Sequence, residues 1–448
     1  MSLSDGSPLL AIQAAAKTTP TLVIKPPFRI SETAIPDRGA TFPDLTFNPD
    51  DNEYLVVWES DGLTEVKAVN DIYGQRRSVA TNERIGTDFR ISTLTDQDKT
   101  HTSNRPRIVY NRTAHEYLVV WYGSGLFNSP DRFFEVYGQR LDRTGKQLGA
   151  NFRISYSTDL GKVSTSFVRS SSQADVAWNS TNNEYLVIWK GMGEPEDAVK
   201  MEIYGQRMTA KGESQGKSFR ISHTTDQGIN FQVNAPAIAY NSKDNQYLVV
   251  WIGGFKSESQ VEVLGTGLSA AGLVLGQKTD FRISQVVDVG TDRRASFPRI
   301  AYNQVNNEYL VVFQGTNEIY GQRIDAATLS EIGPNDFRVS KGSSSSSRPA
   351  VSFNSVIKDY LVIWRSVREN TMYEVSGKRI SSEGAEVQAE FQISNIGALG
   401  KDRTLNNPSV TSHTQNGEYF VVWQGNALPA ANAAKVIEIF GQKLVPAR

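Results

Sequence analysis

The sequence predicts an all-β fold, a seven-bladed β-propeller with four antiparallel strands per blade and a ring closed by an N-terminal strand in the last blade. Three observations carry this expectation. The phrase Tyr54-Leu55-Val56-Val57-Trp58 returns in related form at 117–121, 185–189, 247–251, 309–313, 360–364 and 419–423, with Phe313 once in the tryptophan position. A self-similar unit of this size means a propeller, a solenoid or an array. Each unit carries four strand-like phrases. The phase of the repeat also differs between the two ends of the chain.

The four phrases follow a fixed order. The first resembles 106–111 (Pro-Arg-Ile-Val-Tyr-Asn), with counterparts ending at Asn48, Asn179, Asn241, Asn303 and Asn354. A short polar turn leads to the second, the Tyr-Leu-Val-Val-Trp phrase. Its alternate residues are apolar on both faces, as a strand covered on both sides requires. The third is Val136-Tyr137-Gly138-Gln139-Arg140, echoed around Gly74, Gly205 and Gly321 and degenerate at 263–267 and 375–379. A mid-strand glycine of this kind leaves room for a neighbouring aromatic against the backbone. The fourth is Phe89-Arg90-Ile91-Ser92, with copies starting at Phe28, Phe152, Phe219, Phe281, Phe337 and Phe391.

The fourth phrase occurs at Phe28, before any first phrase, and the chain runs out after a third phrase at 439–444. The first unit therefore has a strand to spare and the last unit lacks one. Pairing them closes the ring and removes two bare sheet edges. A solenoid would need capping units instead. The expected organisation is an N-terminal arm over 1–25 and one propeller domain over 26–448.

Composition narrows the function classes. Of 448 residues, 39% are hydrophobic, enough for a core, and the formal net charge is -1, without the basic stripe that nucleic acid requires. Cysteine is absent, which removes disulfides, thiolate metal sites and cysteine nucleophiles. No apolar run approaches the ~20 residues that span a bilayer, so membrane insertion is not expected. Leu9 to Ala16 lack a preceding basic region and make a poor signal peptide.

Charge recurs with the repeat. An acidic residue precedes the third phrase in all seven units (Asp71, Glu135, Glu202, Glu262, Glu318, Glu374, Glu438), and another precedes the second phrase in six, with Gln246 as the exception. Cross-strand pairing with the recurrent arginines is the expected role, because chemistry seldom needs seven copies. Asp96, Asp159, Asp226 and Asp288 each lie five residues past the isoleucine of a fourth phrase. They read as turn formers first and as ligand or cation contacts second. The four histidines, His101, His115, His223 and His413, show no metal-ligand spacing. No nucleophile elbow or phosphate-binding glycine loop is present. No catalytic residue, metal or cofactor is assigned. Acidic residues are numerous enough to leave a paired-carboxylate site open.

Loop lengths vary most in the second-to-third and fourth-to-first connections, which emerge at one end of a propeller. That end is the expected binding face. Its candidate residues are Tyr122, Phe127, Arg132, Lys190, Phe231 and Arg365, with Asp96, Asp159, Asp226 and Asp288 in the connections.

The three phrases Tyr-Leu-Val-Val-Trp, Ile-Tyr-Gly-Gln-Arg and Phe-Arg-Ile-Ser together resemble a repeat of large bacterial propeller proteins, often surface or secreted ones, over residues 26–446. The chain lacks the signatures of WD40 repeats and of sialidase-type boxes. The resemblance implies a fold and an extracellular or assembly role, and no activity. Three readings follow. The first is a non-enzymatic binding or scaffolding module for a protein or glycan partner. The second is a structural subunit of a larger surface or injection-type assembly, with the N-terminal arm as its contact. The third is a glycan-active hydrolase or lyase with a carboxylate site near the ring axis.

Overall fold

Every repeat unit folds into one antiparallel four-stranded sheet, and the seven sheets stand around a common axis. In this computed structural model the described residues are 20–447, apart from 33–38, 62–68, 97–100, 125–133, 158–161, 165–166, 169, 193–200, 228–232, 256, 277–278, 290–293, 342–344, 368–372, 395–404 and 427–435. Blade 2 is typical. Its strands Ser103–Asn111, Glu116–Ser124, Phe134–Asp142 and Gln147–Arg153 pair in chain order from the axis outward. First strands of neighbouring blades pack on one another around the ring, and the first strand of blade 7 packs on that of blade 1. The fourth-to-first connection after blade 2 also holds a short hairpin, Lys162–Ser164 with Phe167–Val168.

Ring closure follows the phase of the repeat. Blade 7 contributes Leu405–Ser412, Tyr419–Gly425 and Glu438–Pro446. Phe28 then pairs antiparallel with Gly441, and Arg29 with Phe440. A second segment, Leu22–Ile24, pairs with 444–446. The closing strand thus starts at Leu22, inside the stretch expected to be an arm; residues 1–19 lie outside the described residues.

The second strands are buried on both faces because each sheet is covered by two neighbours. Leu118, Val119, Val120 and Trp121 are all inaccessible to solvent. Indole nitrogens of Trp58, Trp121, Trp251, Trp364 and Trp423 are buried with no hydrogen-bond partner among the described residues. The position is therefore held by ring volume, which explains how Phe313 replaces tryptophan there.

The third and fourth phrases lock together. A Cβ on Gly138 would meet the Phe152 ring at 2.8 Å, and one on Gly321 would meet Phe337 at 2.7 Å. The glycine lets the outer-strand phenylalanine lie on the backbone, as its placement predicted. That phenylalanine also reaches the next blade: Gly145, at φ +85°, has its Cβ position 2.8 Å from Phe89. Each repeat-locked acid before the third phrase accepts a hydrogen bond from the serine of a fourth phrase, as in Asp71 with Ser92 and Glu135 with Ser155. The serine hydroxyl in turn accepts from the backbone N–H that follows the acid. Outer-strand arginines complete the node, with Arg153 2.8 Å from Glu135 and Arg220 2.8 Å from Glu202. The acids before the second phrase pair with the arginines ending the third, as in Arg140 and Glu116 at 2.7 Å. Both acidic rings are structural, and the node around Glu135 is buried.

Asparagines ending the first phrases tie blade to blade. Asn111 Oδ1 accepts from the N–H groups of Thr113 and Ala114, while its amide donates to Tyr185 of blade 3 at 3.0 Å. Asn48 repeats this with Tyr117.

Candidate functional site at the mouth of the central channel

First strands begin, and second strands end, at the same face of the ring. There every first strand carries a β-bulge, with register shifts from Thr41/Asp44 in blade 1 to Asn406/Ser409 in blade 7. The bulged residues are Phe42, Arg105, Gln173, Ala235, Phe297, Arg348 and Asn407, and all seven have φ between 47° and 54°. Left-handed φ in a non-glycine residue costs on the order of 1–3 kcal/mol and recurs where side chains must be aimed. A proline follows six of the seven, Gln173 being the exception. The bulge is a constant of the repeat, whereas the residue it presents is not.

These residues surround a cavity of about 290 Å³ lined also by Arg107, Asn234, Ile252 and Arg299. Arg105 lies over the Phe42 ring at 4.5 Å, and Arg348 over Phe297 at 4.7 Å. Arg348 donates to Asn407 at 2.8 Å. Just below the rim, Arg107 stands between two carboxylates, 3.8 Å from Asp44 and 3.8 Å from Asp175. Asp44 accepts from the Ser409 hydroxyl at 2.9 Å and from the Ile108 N–H at 3.1 Å. Asp175 accepts from the Ile238 N–H at 3.1 Å. Burial raises the Asp175 carboxyl above the ordinary carboxylate range, with Asp44 adding to the rise and Arg107 and Arg299 opposing it. Burial, reinforced by the Arg107 charge, pushes the Arg299 guanidinium down to about 9.

A second ring comes from the residue after each second phrase: Glu59, Tyr122, Lys190, Ile252, Gln314, Arg365 and Gln424. Glu59 accepts from the Arg105 N–H at 2.6 Å and the Thr41 hydroxyl at 3.0 Å. Burial still pushes its carboxyl up to about 7. Gln424 Oε1 accepts from the Phe42 N–H and the Asn407 amide.

Three of the sequence-predicted residues stand in this second ring, each with its own partners. Tyr122 stacks edge-on to Phe134 and is close enough to Arg105 and Glu59 to feel their charge. Lys190 donates to Asn234 at 2.5 Å. Arg365 donates to Ser347 at 2.9 Å and covers the Tyr373 ring. Asp96, Asp226 and Asp288 are exposed, do not line the cavity, and pair with Arg90, Arg220 and Arg282 of their own fourth phrases at 2.7, 2.9 and 2.8 Å. Their turns are 3-10 helical. Phe127, Arg132, Asp159 and Phe231 lie outside the described residues. No group of three acidic or histidine side chains that could hold a metal ion occurs among the described residues.

Sequence reasoning missed the bulge ring and the Asp44–Arg107–Asp175 set. The signal was present. Proline opens six of the first phrases, and the residue before it changes from blade to blade while its neighbours repeat.

The fold and this axial cavity define a seven-bladed β-propeller with a charged channel mouth. No family model and no curated protein matches the sequence. Similar solved structures include an α-L-arabinofuranosidase from Fusarium graminearum, at 12% identity and a TM-score of 0.45, covering 76% of this chain and 92% of that one. A Hadza microbial sialidase matches at 8% identity and a TM-score of 0.48, covering 91% of this chain and 65% of that one. The sialidase of Trypanosoma rangeli matches at 9% identity and a TM-score of 0.45, covering 75% and 54%. At these identities and TM-scores the likeness assigns no activity to this chain. The non-enzymatic binding or scaffolding module expected first is nonetheless corrected: the structures named are glycan-active enzymes, the class of the third reading, and none of them is a binding module.

Proposed function

We propose that the protein is a glycan-active hydrolase working at the mouth of its central channel. The observation that carries this reading is the Asp44–Arg107–Asp175 set beneath an open cavity. Glycoside hydrolysis needs two carboxyl groups in different protonation states. Asp175, raised by burial, serves as proton donor to the leaving oxygen. Asp44, held by Ser409 and Ile108, serves as the partner base or nucleophile. Arg107 holds the two apart and stabilises charge that develops between them. Phe42 and Phe297, each with an arginine over one face, line the cavity with apolar ring surface for a sugar. The motif resemblance to bacterial surface propellers supports a substrate met outside the cell.

The test is release of reducing ends from a panel of polysaccharides and aryl glycosides by the wild type, Asp175→Asn and Asp44→Asn. The wild type should cleave at least one substrate, with activity declining as pH rises through the Asp175 pKa. Each variant should lose a hundredfold or more while keeping its melting curve. A panel without turnover, or turnover that survives both substitutions, overturns the reading.

A further inference from the structure

Charge at the channel mouth does not balance. Four guanidinium groups, Arg105, Arg107, Arg299 and Arg348, line the cavity, against three carboxyl groups set behind them: Asp44 and Asp175 beside Arg107, and Glu59, raised by burial, beside Arg105. Arg105 and Arg348 come from blades 2 and 6 and are close enough to repel each other across the axis. Arg299 similarly feels Arg107 and Arg348. Solvent could screen arginines that extended outward. These two rim arginines are instead held over the Phe42 and Phe297 rings from the bulges that carry them. The Arg105 side chain meets no acceptor among the described residues, and Arg348 meets only the neutral amide of Asn407. Two phenylalanine–arginine pairs thus stand around the cavity, one on blades 1 and 2 and the other on blades 5 and 6. A guanidinium stacked on a ring keeps its in-plane N–H fork free for an anion.

We propose that the channel mouth binds an acidic saccharide, with Arg105 and Arg348 gripping its carboxylate or sulfate group from opposite sides. This rests on the glycan-active reading and names its substrate class. The anion relieves the mutual repulsion of the arginines and fixes the sugar over the Asp44–Arg107–Asp175 set. Lys190 and Arg365, in the second ring, extend the positive field that draws the ligand in. The bulge ring otherwise holds glutamine, alanine and asparagine, so the neutral part of the saccharide crosses the Gln173 and Ala235 side.

Affinity electrophoresis in gels containing oligogalacturonate, dextran sulfate or neutral dextran tests this. Wild type, Arg105→Gln, Arg348→Gln and Lys146→Gln are compared, with Lys146 exposed on the opposite face as control. Glutamine already occupies the equivalent bulge position at Gln173, so the arginine substitutions keep the backbone. At least one acidic polymer should retard the wild type and neutral dextran should not. Each arginine variant should bind about tenfold more weakly, with Lys146→Gln unchanged. Retardation by oligogalacturonate alone assigns a carboxylate, by dextran sulfate alone a sulfate, and by both a general anion site. Equal retardation by neutral dextran, arginine variants that behave as wild type, or an equal loss in Lys146→Gln overturns the proposal. Cleavage of a neutral glycan untouched by the arginine substitutions would sink this inference alone. Acidic binding retained in Asp175→Asn, with no glycan ever cleaved by the wild type, would sink the hydrolase reading alone.

Discussion

Glu59 holds a proton that an exposed carboxyl would release. Its pKa is raised by burial to about 7 in the folded chain, against 4.5 as the ordinary value. The folded state therefore binds more protons than the unfolded state between those values, and this residue's contribution to stability falls as pH rises across that window. Glu59→Gln keeps the acceptor for the Arg105 N–H and removes the titration. It should raise stability at pH 8 relative to wild type, by on the order of 2 kcal/mol, with no gain at pH 4. Urea unfolding at the two pH values measures it, and an equal change at both refutes the assignment. The interblade tryptophans give a second residue-scale expectation. Trp251→Ala should cost about 3–5 kcal/mol. Trp251→Phe should cost far less, since the indole nitrogen has no partner to lose. Equal losses in thermal unfolding would count against packing as the reason for the aromatic.

At the level of strands, the phrases were readable because each obeys a period and recurs. Tyr-Leu-Val-Val-Trp is apolar on both faces only because a blade is covered on both faces, and Gly138 sits where Phe152 must approach. Gly138→Ala should therefore destabilise by about 1–3 kcal/mol through overpacking against that ring. Differential scanning calorimetry would show it, and an unchanged transition would mean the contact is looser than the geometry states. Recurrent acids were recognisable as structural, yet their burial was not, because pairing partners can be guessed from spacing and depth cannot. An exposed pair at Glu135 would be worth ~1 kcal/mol or less. Glu135 lies in a buried node with Ser155 and Arg153, so Glu135→Gln removes the charge that both of them address there and should cost about 3 kcal/mol in urea unfolding. The site was harder to read. Tyr122, Lys190 and Arg365 stood out as polar or aromatic residues following an invariant phrase. Phe42 and Arg105 stand just before the proline of a first phrase, at a position that does not repeat, and only the bulge turns that position toward the axis.

For the whole ring, stability depends on one blade assembled from both ends of the sequence. Removing residues 1–31 strips Leu22–Ile24 and Phe28–Arg29 from blade 7, takes Ser31 and Arg29 from the Glu438 node, and bares the edge of Glu438–Pro446. The melting temperature should drop markedly, with greater aggregation on heating; an unchanged melting curve would leave closure without an energetic role. The same contact has a temporal meaning. Arg29 and Glu438 are 409 residues apart in sequence. Contacts of such separation are the slowest to form, and at ribosomal rates of about 5–20 residues per second the first partner waits roughly half a minute for the second. Blades 1 to 6 can zip locally during that interval, while the waiting strand near Phe28 stays unpaired and the first blade keeps an uncovered face. The protein thus passes through an open crescent before it becomes a ring, and it stays vulnerable until Glu438–Pro446 has been made and meets the waiting strand.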